Sequence, residues 1–329
     1  MKKLLLLMIT ASMVFVLAAC GGSEAGGDSD KEIVLKFGHV LAPDHPYNLA
    51  AEKFKEVLEA NAPQDVKVEI FHSSQLGSER DLTEGLQLGT VDIAIAPGTI
   101  GGFEPKMGVL DLPYIFRDRE HAYKVLDGEI GKELAENLPN SDLRLLSYWE
   151  NGFRNVTNSS KPIVTPEDLK GIKIRVPENG IYVDTFKAWG ANVTSMAFGE
   201  LYTALQQKTV DGQENPLAII ATNKFSEAQE FLSLTGHFYG PAQVLISEST
   251  WQELSPEMQE AVQKAADQAR DYERQLLADN DAEYLEQLKS EGMKVNEVDV
   301  EAFQKASEPI WEMYEDEFGD IIEKIQNVE

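Results

Sequence analysis

Apolar and polar residues change period several times along this chain. "IVLKFGHV" (Ile33–Val40), "VKVEIFH" (Val66–His72) and "VDIAIAP" (Val91–Pro97) are short runs rich in β-branched residues and read as strands. Between them, "HPYNLAAEKFKEVLEAN" and "SERDLTEGLQLG" carry apolar residues at helical spacing. The order then recurs: "LRLLSYW" (Leu143–Trp149) and "IKIRV" (Ile172–Val176) as strands, a helix through "YVDTFKAW", "ANVTSM" (Ala191–Met196) as a strand, and the helix "FGELYTALQQ". Strands alternating with helices predict an α/β fold with a mainly parallel sheet. Ser255–Gly292 holds helical spacing for about ten turns behind a Ser-Pro-Glu start, without a clean heptad. A last helix is expected from Glu301 to about Gln326, packed on the long one.

One phrase occurs twice. Asp81-Leu82-x3-Leu86-Gln87-x2-Thr90-Val91-Asp92 returns as Glu200-Leu201-x3-Leu205-Gln206-x2-Thr209-Val210-Asp211. Each copy predicts the same amphipathic helix, turn and strand start, so two similar lobes are expected, with a ligand cleft where strand ends and helix N-termini converge. After the shared Thr-Val-Asp the copies diverge. "VDIAIAP" continues as an apolar strand, whereas "VDGQENP" is expected to turn at Gly212 and present Gln213, Glu214 and Asn215 before Pro216 opens a helix. Asn215 at that place either caps the helix or aims its amide at a ligand, and spacing alone serves both readings.

The front of the chain, "MKKLLLLMITASMVFVLAAC", has a basic start at Lys2 and Lys3, an apolar run from Leu4 to Leu17 and a small-residue cleavage site. That is the pattern of a secretion signal, too short to favour a permanent membrane span. Cys20 is the only cysteine, which excludes a disulfide within the chain. The stretch resembles a bacterial lipobox, in which the cysteine becomes the acylated first residue. "GGSEAGGDSDKE" behind it reads as a flexible tether spanning roughly 20 Å.

At 329 residues and 43 % hydrophobic content, the chain can bury more than one core. It carries 29 basic and 56 acidic residues, net −27, and −27 − 2 = −29 once the two lysines of the signal are removed. Such a chain has no ready basic face for nucleic acid. No P-loop, GxSxG, HExxH or CxxC is present, and the five histidines show no metal-ligand spacing. Neither catalysis, nor a metal, nor a cofactor is therefore expected.

Arginines stand out against this acidic background. Arg175 in "GIKIRVPEN" sits near the C-terminal end of a strand, facing the strand-end crevice. Arg154 in "NGFRNVTNSSKP" follows the strand expected to end near Trp149, in a turn-rich segment. Either could be an ordinary surface residue; together they offer guanidinium groups that bind carboxylates two-pronged and stay charged.

"SSQLGSERDLTEGLQLGTVDIAIA", "GFRNVTNSSKPI", "DLKGIKIRVPEN" and "MAFGELYTALQQKTVDGQENP" together resemble the extracytoplasmic solute-binding proteins of TRAP transporters, the DctP family, from about Ile33 to the end. The resemblance implies a two-lobed periplasmic-binding-protein-like fold, a long helix spanning both lobes and a partner membrane permease. It implies a signal at 1–19, a lipidated tether at 20–32, a first lobe from 33–151 and 241–280, and a second from 152–240 and 281–329. Arg175 matches the arginine that pairs with the substrate carboxylate, Arg154 a second ligand-contacting arginine, and Asn215 an asparagine that completes the anion site. Phe198 corresponds to an aromatic pocket residue, and Glu79 lies near the first-lobe contacts. Where sialic-acid binders carry small polar residues, this chain has "GHVLAPDHPYN", so it resembles members that take C4-dicarboxylates or sugar acids such as uronates, with His39 expected to touch the ligand. A tethered sensor that presents the same acid to a membrane signalling partner is the rival reading.

Overall fold

The computed structural model describes residues 32–329; the expected signal, Cys20 and the tether up to residue 31 lie outside the described residues. The chain opens with β1 (Ile33–Gly38), α1 (Pro46–Asn61), β2 (Val66–Phe71), α2 (Glu79–Gln87) and β3 (Ile93–Ile95). β1 lies between β2 and β3, all parallel. The helix starts are written in the sequence. His45, ahead of Pro46, accepts the Tyr47 N–H, and Ser78 and Asp81 form a reciprocal capping box on α2. A 3₁₀ segment at Pro105–Asp111, then α3 (Arg119–Asp127) and α4 (Glu129–Ala135), lead into β4 (Leu143–Asn158).

The second half repeats the scheme with β5 (Lys173–Val176), α5 (Gly180–Ala188), β6 (Asn192–Ser195), α6 (Phe198–Gln206) and β7 (Gly212–Pro216). Here β5 lies between β6 and β7, again all parallel. α7 (Leu217–Thr222), β8 (Phe231–Ser233), β9 (Tyr239–Ser247), α8 (Glu248–Glu253), α9 (Pro256–Ser290), β10 (Lys294–Asn296) and α10 (Val300–Gln326) complete the chain. The strand order is β2-β1-β3-β9-β4-β7-β5-β6, with β8 and β10 to one side. Two antiparallel strands, β9 and β4, thus join two parallel three-stranded units into one mixed α/β architecture of two lobes. The second lobe has its own core, where Phe186, Trp189 and Phe303 meet edge to face.

The repeated phrase is a repeated structure. Asp92 accepts the Lys36 N–H at 2.8 Å, and Asp211 accepts the Lys173 N–H at 2.9 Å, so each aspartate fastens β3 or β7 to the central strand beside it. The turns before them match as well: Thr90 N–H donates to Gly85 O and Thr209 N–H to Ala204 O, both at 2.9 Å. The left-handed turn position is Gly89 in the first copy, at φ 65°, and Lys208 in the second, at φ 56°.

Three expectations need correction. "GQENP" is not a turn but strand β7, buried along its length and hydrogen-bonded between β4 and β5; the helix begins only after Pro216. A side chain at Gly212 would drive its Cβ to 2.3 Å from the Thr157 carbonyl oxygen, so glycine serves close strand packing rather than a bend. Likewise Arg154 lies inside β4, which runs 16 residues rather than stopping near Trp149. Residues 143–153 of β4 pair with β9 and residues 154–158 with β7, with register shifts at Leu145/Ser147 and Glu150/Gly152. Asn151-Gly152 forms the second irregularity, with Gly152 at φ 105°, where β4 crosses from one lobe to the other.

The long helix came out as expected, α9 capped by Ser255 and packed on α1 of the first lobe, on β4, and on α7 of the second. Its middle is fastened to the β4 crossover: Glu273 accepts the Glu150 N–H at 2.9 Å and Arg274 donates to Tyr148 O at 2.6 Å. The third correction concerns α10, which packs mainly on α5 and on Pro105–Asp111 rather than on α9. Its last turn, expected with the second lobe, lies against first-lobe residues: His121 Nε2 meets Ile325 O at 2.9 Å and Lys324 pairs with Glu133 at 2.7 Å. α10 is therefore a second brace across the lobes.

Candidate ligand-binding site

The cleft between the lobes is built from repeat-related positions. Glu79 and Phe198 are the first residues of α2 and α6, and both line the cavity, one from each lobe. Arg175 comes from the end of β5, Asn215 from β7, Arg154 from β4 just past the crossover, and Tyr182 from the first turn of α5. The parallel strand ends and the helix starts converge here because both βαβαβ units deliver them to the same edge. The cavity these side chains enclose is only about 20 Å³, so the walls stand close together.

The two arginines are in different electrical situations. Arg154 is buried and already committed: Nε and Nη2 reach Glu214 at 2.5 and 2.8 Å, and Nη2 also donates to Glu214 O at 2.8 Å and Asn215 Oδ1 at 3.0 Å. The Tyr182 ring lies 5.5 Å from its guanidinium. Burial alone would raise the Glu214 pKa, but Arg154 and His237 together hold it below the usual carboxylate range. Arg175 is 1 % exposed, and its Nε and Nη2 find only the Met196 carbonyl, at 3.0 and 2.7 Å. It has no ion-pair partner among the described residues. Burial pulls its pKa down to about 10, against the more distant attraction of Glu214 and Glu79. A buried guanidinium without its own counter-ion is a site prepared for an anion from outside.

The remaining wall is rich in acceptors. Glu79 lines the cavity with no hydrogen bond to its carboxylate among the described residues, and burial pushes its pKa up to about 7 despite Arg175 and Arg154. Asn151, at the β4 irregularity, also lines the cavity, and its buried Oδ1 has no partner. Asn215, by contrast, is occupied, accepting from Arg154 and donating to Gln213 Oε1; Gln213 continues to Thr157 at 2.8 Å and Thr157 to Gln229 at 2.9 Å.

Of the residues singled out by sequence, Arg175, Arg154, Asn215, Phe198 and Glu79 are brought together around one cavity. His39 is not among them. It is buried beside α1, with Nε2 3.2 Å from Asn48 Oδ1, and burial lowers its pKa to about 4; Leu41, two residues on, reaches the cavity instead. Sequence reasoning passed over Asn151 and Tyr182, which it placed only in a turn-rich segment and in a helix. It also missed that Glu214, visible in the divergent phrase, neutralises Arg154.

Two lobes of α/β repeats, bridged by β4, β9 and long helices and enclosing a cation-bearing cleft, define a two-lobed solute-binding protein. Residues 37–317 match the family model described as DctP, bacterial extracellular solute-binding protein, family 7. The chain belongs to this family, the solute-binding proteins of TRAP transporters. It is 39 % identical over 274 residues to the 2,3-diketo-L-gulonate-binding periplasmic protein YiaO of Escherichia coli, covering 83 % of this chain and 84 % of that one. It is 33 % identical over 303 residues to the C4-dicarboxylate-binding protein DctB of Bacillus subtilis, covering 89 % and 86 %. Among solved structures, a TRAP periplasmic solute-binding protein from Polaromonas bound to D-erythronate superposes with a TM-score of 0.88 at 42 % identity, covering 90 % of this chain and 99 % of that chain.

Proposed function

We propose that this protein captures a small organic acid, a sugar acid or C4-dicarboxylate, in the interlobe cleft and delivers it to a TRAP membrane permease. The observation that carries the reading is Arg175, a buried guanidinium on the cleft wall whose only partner is a backbone carbonyl. A ligand carboxylate would supply the missing counter-charge. Arg154, paired with Glu214, holds the wall beside it, and Asn215, Phe198 and Tyr182 shape the surroundings. The ligands of the relatives, a diketogulonate, a dicarboxylate and an aldonate, share the carboxylate that this site calls for.

Capture requires motion, because a cleft this narrow admits a sugar acid only if its walls part. In this reading the lobes divide as 33–151 with 241–280 against 152–240 with 281–329, the last turn of α10 excepted, and the hinge is the β4–β9 crossover, where Gly152 and the register shift interrupt the ladder. α9 and α10 limit the motion to bending. In this reading the signal at 1–19 is removed, Cys20 carries lipid, and the tether holds the body at the outer face of the cell membrane. The test is a thermal-shift screen of residues 32–329 against uronates, aldonates, C4-dicarboxylates, keto acids, sialic acid and ectoine. A true ligand at 100 times its Kd adds about 2.7 kcal/mol, a rise of several degrees. A panel in which no acid raises Tm, with Arg175→Ala indistinguishable from the parent, would remove the carboxylate from this reading.

A further inference from the structure

The cavity wall offers one cation with no ion-pair partner among the described residues and, opposite it, an unpartnered carboxylate. Arg175 has no counter-ion, but Arg154 is gripped by both oxygens of Glu214, and the Asn215 amide is tied to Gln213. Two acceptors on residues that line the cavity have no donor among the described residues: the half-buried Glu79 carboxylate and the buried Asn151 Oδ1. A carboxylate brings no donors to such a wall; a hydroxyl does. A second carboxylate on the ligand would meet Glu79 as a like charge in a space with little room for intervening water.

Resting on the proposal that the cleft binds an organic acid, we infer that Glu79 is a valence filter that restricts this chain to polyhydroxy monocarboxylates, accepting their hydroxyls and excluding a second carboxylate. The groups that face Glu79 are Arg175 from β5, Arg154 from β4 and Glu178 beyond β5, with Tyr47 of α1 and Tyr182 of α5 also within its electrostatic reach. On its own helix, Arg80 is paired with Glu84 and Asp81 is held in the capping box, so neither competes. Because Glu79 titrates near neutrality in this setting, the exclusion weakens as the pH falls and Glu79 gains its proton.

The test compares galactonate with galactarate, which share a six-carbon polyol skeleton and differ by one terminal carboxylate, and repeats it with erythronate and tartrate. Isothermal titration of residues 32–329 is run from pH 6 to pH 8.5, where all four acids stay fully ionised. The expected result at pH 8 is monocarboxylate binding tighter than its dicarboxylate twin by on the order of 30-fold or more. Lowering the pH from 8 to 6 should strengthen dicarboxylate binding by about tenfold in all, with proton uptake, and move the monocarboxylate by less than about threefold. Glu79→Gln should abolish that pH dependence and shrink the preference to under about fivefold. Equal affinity of the native protein for both members of each pair at pH 8, or a preference and pH profile untouched by Glu79→Gln, overturns the inference while leaving acid binding in place. Failure of every acid to bind overturns the parent reading, and the filter with it.

Discussion

Replacing Glu214 by glutamine removes one charge from the most buried ion pair in the cleft while keeping its shape. The Glu214 side chain is 0 % and that of Arg154 5 % exposed, and the pair is held by three of the four hydrogen bonds recorded for the guanidinium if the backbone oxygen is included. Breaking a buried pair by removing one partner costs about 3–5 kcal/mol, because the remaining charge is left without compensation. The Glu214 carbonyl and Asn215 Oδ1 would still accept from Arg154, which places the expected loss near the lower end, about 3 kcal/mol. For a body of this size each kcal/mol is roughly 2 °C, so Tm should fall by about 6 °C, read by calorimetry and checked by urea denaturation. The ligand response should move the other way. With Arg154 released, the cleft has two uncompensated cations, and the stabilisation by a bound acid should grow. A Tm within about 1 °C of the parent, together with an unchanged ligand response, would refute the claim that Glu214 is what withholds Arg154 from the ligand.

Asp111 is buried with Asn179 Nδ2 2.7 Å away, and burial raises its pKa to about 7. The folded protein then holds a proton that the unfolded chain releases near pH 4, so this group should cost stability as pH rises from about 4 to 7. Asp111→Asn should flatten that part of the pH profile in thermal unfolding, with little change at pH 4. Lys208→Gly, which gives the second repeat the residue the first has at its left-handed turn, should raise stability by about 0.5–1 kcal/mol in a denaturant titration. Gly212→Ala should cost about 3 kcal/mol or prevent folding, since the added carbon collides with backbone, and soluble yield with urea unfolding would show it.

Element type was largely legible in the chain because both repeats use ordinary amphipathic helices and β-branched strands. β8, β9 and β10 were not anticipated, and the strands misread, β7 and the second part of β4, are those whose side chains do not alternate. β7 reads Gly-Gln-Glu-Asn-Pro, yet it is buried because each polar group finds a partner within the lobe, a pairing invisible to hydropathy. β4 crosses the lobes through Asn151-Gly152, and a bulge and a hairpin turn share that dipeptide. The site was legible mainly through the family resemblance, which supplied Glu79 and Phe198 and the ligand roles of Arg175, Arg154 and Asn215; the echo explains how two of them are related. Glu79 and Phe198 occupy one position of the repeat, and the divergent "GQENP" marked the lobe that carries the buried charges. What sequence could not convey was the difference between two arginines of one type. Arg154 has its carboxylate 60 residues away in the chain and adjacent in the sheet, while Arg175 has none among the described residues.

That difference is the central claim, and the most direct test is calorimetric titration of the best-stabilising acid into the parent body and into Arg175→Lys. Lysine keeps the charge but loses the two-pronged grip, so the account predicts a loss of about 10- to 200-fold in affinity, with Tm in the absence of ligand close to that of the parent. Affinity retained within about threefold would contradict it, and would place the ligand carboxylate on some group other than Arg175.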